Sequence, residues 1–161
     1  MDLNDLLKRL DDPDWLVSPR GYNPTAMVES FAALVHGLDV SFETRCATDT
    51  EIQDSSEYAR VEVPAEATVR ETRIIVSISK FGSLAFVAAE NPGAFLGTAH
   101  AQAEGELDAG DLAKVEQALA DSGYVVVPEE LLTSRYYGPS HLRKMSPSFP
   151  PTWWDRYFGS F

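Results

Sequence analysis

Residues 73 to 88 constrain the fold more than any other part of the chain. Ile74, Val76 and Ile78 fall on one face with Ile75 opposite, and after Lys80-Phe81-Gly82-Ser83 the alternation resumes at Leu84, Phe86 and Ala88. A period of two on each side of a short glycine-bearing turn describes a β-hairpin. Two earlier stretches carry the same period. Ala59, Val61 and Val63 alternate with Tyr58, Arg60 and Glu62, and Val40, Phe42, Thr44 and Cys46 alternate with Ser41, Glu43 and Arg45. Thr48 to Ser56 is polar and reads as the loop between them. The pattern predicts four strands, at 40–46, 58–63, 73–79 and 84–88, in an antiparallel meander. Tyr124 to Val127, bounded by Pro128, adds a fifth strand.

Helical spacing appears on either side of this meander. Leu3, Leu6, Leu7 and Leu10 share one face before Asp11, Asp12 and Pro13 end the pattern. Asn23 followed by Pro24 reads as an N-cap with proline at the first helical position; Met27, Phe31, Leu34 and Leu38 then form a stripe that Gly37 closes, giving a helix over 24–36. Asp108 caps a third helix at about 110–121, with Leu112, Val115 and Leu119 inward and Gly123 as its stop. Residues 91 to 110 read as a long connection with a helical turn near Ala94 to Gln102, and residues 128–132 begin another turn.

These elements give an α+β fold in the order α-α-β-β-β-β-α-β. It is a mostly antiparallel sheet of about five strands with helices on one face and a C-terminal aromatic tail across the sheet or its edge. A chain of 161 residues suits one domain spanning 1–161, with 132–161 packed on the body. Hydrophobic residues at 44% and charged residues at 24% are globular values, which exclude a disordered or fibrous chain. No apolar run is long enough to span a bilayer, and Met1 leads directly into Asp2, Asn4 and Asp5, so a cytoplasmic protein is expected.

Charge separates the body from the tail. Residues 1 to 132 hold 24 Asp and Glu against 9 Lys and Arg, whereas residues 133 to 161 hold Asp155 against Arg135, Arg143, Lys144 and Arg156. An acidic field repels nucleic acid and anionic membrane, and it speeds encounter with a basic protein. A basic protein is therefore the expected partner, with neither nucleic acid nor membrane; a homodimer is the other association considered.

Chemistry finds little support in linear spacing. His36, His100 and His141 lie far from one another and from Cys46, so no metal set and no cofactor site are expected. A Cys46–His pair assembled by folding would make a small hydrolase, but Cys46 falls on the inward side of its predicted strand. Asp11, Asp12 and Asp14 form one acidic run; Glu104, Glu106, Asp108 and Asp111 form another that imitates the start of a calcium loop. The imitation fails because its glycine, Gly110, comes one place late and Val115 stands where a bidentate Glu is required. Phosphate-binding glycine motifs and nucleophile elbows are absent.

Thr152-Trp153-Trp154-Asp155-Arg156-Tyr157-Phe158 is the strongest local signal. Thr152 and Asp155 have capping-box spacing, Pro150 and Pro151 block an earlier start, and Gly159 stops the turn. One helical turn pairs Trp153 with Tyr157 and Trp154 with Phe158. The segment is expected to clasp its own domain. Its alternative is an aromatic hot spot, through which an accessory subunit would bind, with Trp153, Trp154, Arg156, Tyr157 and Phe158 meeting the partner beside Glu104, Glu106 and Asp108.

Together, Val127-Pro128-Glu129-Glu130-Leu131-Leu132, Tyr136-Tyr137-Gly138 and Thr152 to Phe158 resemble the closing segment of small uncharacterised bacterial proteins, some of immunity-protein type. That resemblance covers about the last 35 residues. It implies an acidic, non-enzymatic inhibitor that neutralises a basic toxin, and it brings no catalytic residue.

Overall fold

A computed structural model of the chain describes residues 3–11, 18, 19, 22–51, 55–91, 94–97, 103, 105, 107–136 and 151–158. In chain order the elements are α1 (Leu3–Leu10), α2 (Pro24–Phe42), β1 (Ala47–Asp49), β2 (Glu57–Val63), β3 (Arg73–Ser79), β4 (Leu84–Asn91), β5 (Ala94–Gly97), α3 (Ala109–Asp121), β6 (Val125–Val126), α4 (Glu129–Leu132) and α5 (Trp153–Phe158). The sheet runs β1-β2-β3-β4-β5 with every neighbour antiparallel, and β6 lies parallel to β4 beside Leu84 and Ala85. The fold is α+β with a mostly antiparallel sheet.

Strand alternation sorts the interior into two cores. On one face Val61, Val63, Ile74, Val76, Ile78, Ala85 and Val87 meet Phe31, Leu34, Leu38 and Phe42 of α2 and Leu112, Val115 and Leu119 of α3. On the other face Leu84, Phe86 and Ala88 meet Leu7 of α1, Leu132 of α4 and Trp153, Tyr157 and Phe158 of α5. The two long helices thus share one face as expected. The first helix does not join them; it lies with the aromatic segment on the opposite face.

Helix α2 outlasts its sequence-predicted end, and this removes the predicted strand at 40–46. Phe31, Leu34, Leu38 and Phe42 recur at helical spacing and are all buried, whereas Val40, inward in the strand reading, is 62% exposed. Gly37 sits inside the helix where α2 crosses α3, and a Cβ there would stand 3.6 Å from Cβ of Ala118. The left-handed cap is Glu43, at φ 51°. The first strand begins only at Ala47. A further correction concerns the connection after β4: residues 94–97 form strand β5, not a helical turn. The proposed turn's remaining residues, 98–102, and the acids Asp12, Asp14, Glu104 and Glu106 lie outside the described residues.

A bulge alters β2. The register to β3 shifts between Glu57 and Ala59, and Tyr58 meets Phe31 of α2 edge-on at 5.7 Å while Ala59 enters the same core. Two successive residues reach one face, which is what an extra residue in a strand produces. Tyr58 therefore leaves the wet face that strict alternation assigned to it.

The β3–β4 hairpin closes on a turn in which Leu84 N–H donates to the Phe81 carbonyl at 3.2 Å. Both central residues are left-handed, Gly82 at φ 56° and Ser83 at φ 58°, the signature of a type I′ turn. Leu10 of α1 covers it so closely that a Cβ on Gly82 would lie 2.3 Å from Leu10 Cδ1. Gly82→Ala is expected to cost about 1–2 kcal/mol in backbone strain, plus the displacement of Leu10. Urea denaturation should show the loss, and in a Leu10→Ala background the same substitution should cost measurably less.

Candidate binding surface

Helix α5 is built as the sequence predicts. Asp155 N–H donates to Thr152 Oγ1 at 3.4 Å and Thr152 N–H donates to Asp155 Oδ2 at 2.8 Å, a reciprocal capping box. Trp153 stacks on Tyr157 at 5.8 Å and Trp154 on Phe158 at 5.0 Å. The segment is held to residues 134–136 by a short antiparallel bridge, in which Trp153 N–H donates to the Ser134 carbonyl at 3.1 Å and Tyr136 N–H to the Pro151 carbonyl at 2.9 Å.

Its side chains point into the second core. Arg156 is wholly buried, its Nε donates to Asp11 Oδ1 at 2.6 Å, and its guanidinium lies 4.4 Å from the centre of the Phe81 ring. Tyr136 donates to the other oxygen of Asp11 at 2.5 Å, and the Tyr157 hydroxyl donates to the Leu7 carbonyl. Burial, followed by the Asp11 carboxylate, raises the Tyr157 pKa. In this conformation Trp153, Arg156, Tyr157 and Phe158 have no surface to offer a partner. Trp154, packed edge-on against Phe86 at 5.0 Å, keeps partial exposure. Asp108 caps α3, accepting from Gly110 and Asp111 N–H groups at 3.0 and 3.1 Å. It caps a helix packed on the first core, on the far side of the sheet from α5, so Asp108 and the aromatic segment do not form one surface.

Cys46 is buried although its strand is gone. Its backbone N–H donates to Asp39 Oδ1 at 2.8 Å, and burial, then a hydrogen bond to Asp39, pushes the thiol up to about 12. A thiol held protonated is a poor nucleophile at neutral pH. Modification by a thiol reagent at pH 7 is expected only as fast as unfolding permits. Because the folded pKa is raised from 9.0, stability from the neutral thiol is complete below pH 9 and fades as pH climbs toward about 12.

An open concavity lies on the α2 side of the sheet, at its β1 edge. Val28, Phe31, Ala32, Val35, His36 and Asp39 form a continuous helical stripe on α2, one step round from the core stripe. With Thr48, Thr50 and Tyr58 they enclose a groove of about 470 Å³. Thr48 pairs with Val61, so it shares the α2-facing side of the sheet, while Ala47 and Asp49 pair with Glu62 and Arg60 and face the opposite side. Among the described residues no strand pairs with the outer edge of β1. Val28 is 57% exposed, an apolar side chain left on the groove wall.

The rim is acidic. From Pro24 to Glu51 the chain carries Glu29, Asp39, Glu43, Asp49 and Glu51 against Arg45 alone. Arg60, beside the edge, donates from Nε and Nη2 to the two oxygens of Glu57 at 3.1 and 2.8 Å. In the first core, the Tyr124 hydroxyl is the one buried side-chain polar atom among the described residues without a hydrogen-bond partner, and burial, then Tyr58, raises its pKa. The groove was missed from sequence because Val28, Ala32 and Val35 read as part of an ordinary apolar helix. Their offset of one position from Met27, Phe31 and Leu34 was the available signal. Among the described residues no helix is long and apolar enough to cross a membrane. Comparison with protein-family models, with curated proteins and with solved structures found no match.

Proposed function

We propose that this chain is a non-enzymatic, cytoplasmic binding domain for a basic protein, in its sharpest form an immunity-type inhibitor that neutralises a basic toxin. One observation carries the reading: an excess of acid stands on the surface, while one arginine is buried and two more are paired with carboxylates. The net charge is −12, Arg156 is sealed in the second core, Arg60 is held by Glu57, and Arg73 lies 3.6 Å from Glu62. Glu29, Glu43, Asp49, Glu51, Glu66, Glu71, Glu116 and Asp121 are exposed. A surface of this sign steers a basic protein into contact and repels nucleic acid.

The test uses the full chain, immobilised, and proteins of its own host. Basic proteins retained at about 20 mM salt and released at about 300 mM are purified and their association rates measured across that range, where the screening length falls from roughly 20 Å to 6 Å. A steep fall in rate, together with relief of that protein's toxicity on co-expression, is the expected result. Retention of acidic proteins alone, or a rate indifferent to salt, overturns the reading.

A further inference from the structure

The groove between α2 and β1 allows a sharper statement, which rests on the reading of the protein as a binder of basic proteins. We infer that it receives an extended, lysine- or arginine-bearing segment of the partner, added as a strand to the outer edge of β1.

Three features converge on this occupant. The outer edge of β1 is without a strand neighbour among the described residues, and a strand edge offers backbone donors and acceptors that an extended chain satisfies residue by residue. The α2 stripe lies over the same edge and presents Val28, Ala32 and Val35 to whatever lies beside Thr48 and Thr50. An added strand sends alternate side chains to opposite faces, so every second residue meets that apolar wall and the others emerge beside Asp49 and Glu62.

Charge selects the sign of those others. On the far face Asp49, Glu57 and Glu62 stand with Arg60 and Arg73, and both arginines are already engaged with Glu57 and Glu62. On the groove side Asp39 and His36 close one end, and Glu29, Glu43 and Glu51 stand nearby in sequence. An alternating apolar and cationic segment satisfies both faces at once. A second copy of the chain does not, because it brings a net charge of −12 to a segment that is itself acidic.

The probe is a synthetic peptide of about eight residues in which valine and lysine alternate, compared with a peptide of the same composition in two blocks and with an alternating valine–glutamate peptide. Each is titrated into the isotope-labelled full chain. Amide shifts at Ala47–Thr50 and along Val28–Asp39 are expected for the alternating lysine peptide alone. Ala32→Trp, at an exposed helix position, fills the groove and is expected to weaken binding about tenfold or more with the melting temperature unchanged. Asp49→Asn, which keeps an acceptor for the Glu51 N–H, should weaken it severalfold and flatten its salt dependence.

Equal, salt-sensitive binding of the alternating and blocked peptides overturns strand addition while leaving the acidic binding reading intact. Shifts confined to other elements do the same, as does unaltered affinity in Ala32→Trp. A concentration-dependent dimer abolished by Ala32→Trp assigns the groove to a second copy and also overturns the inference. Failure of every lysine peptide, with no basic host protein retained at low salt, removes both readings.

Discussion

A chain truncated after Pro151 is expected to aggregate or remain unfolded. Trp153, Tyr157 and Phe158 are buried on the sheet face opposite α2, and burying each such side chain stabilises by roughly 1.5–3 kcal/mol. Together they contribute on the order of 5–9 kcal/mol, which matches the whole net stability of an ordinary domain. Truncation also uncovers Leu7, Phe81 and Phe86 and removes the guanidinium that pairs with Asp11. Near-ultraviolet circular dichroism and thermal melting of the truncated chain provide the measurement. A soluble product with an unchanged melting temperature would show that α5 contributes nothing to the fold. A milder lesion grades the effect: Thr152→Ala should cost about 1 kcal/mol, since it removes one half of the capping box.

The second large effect is expected at Arg156. Asp11 accepts from Arg156 and from Tyr136 where side-chain exposure of the ion pair is 0% and 1%, so Arg156→Leu leaves a carboxylate with one partner and no access to water. Breaking a buried pair from one side costs about 3–5 kcal/mol, whereas replacing both members with apolar groups of similar size is often near neutral. The double variant Asp11→Leu with Arg156→Leu should therefore recover much of the loss seen in Arg156→Leu, read as denaturant midpoints at constant m-value. Arg156→Lys should rescue poorly, because the Nε donor and the flat group over the Phe81 ring both disappear. A double variant as unstable as the two single losses added together would mean that the two side chains are not coupled and that each stabilises the fold through other contacts.

Much of this architecture was legible because separate signals agreed. The hairpin, the Asn23 and Asp108 caps and the Thr152–Asp155 box each join a turn or capping residue to the correct period on one side. The boundary at Gly37 failed because two periods coincide there. Phe42 is both two residues from Val40 and four from Leu38, and Gly37 lies inside the helix beside Ala118 rather than at its end. Strand β5 has four residues, too few for alternation to separate it from a loop. The groove beside β1 was hidden for a related reason: its wall depends on Tyr58 crossing to the α2 side through a bulge, and a bulge has no periodicity of its own.

The contacts that close the second core join positions almost as far apart as the chain allows. Asp11 meets Arg156 across 145 positions, and Leu7 meets Tyr157 across 150. The first core, assembled from residues 31 to 124, needs neither partner. During synthesis the α2 and α3 side of the sheet can close while Phe86 and Ala88 on the reverse still lack Tyr157 and Phe158. Long-range closure of this kind is slow, and the half-covered sheet that precedes it is exposed to aggregation. The nascent chain thus passes through a stage in which one face is finished and the other is adhesive, and that stage ends only when residues 153–158 leave the ribosome.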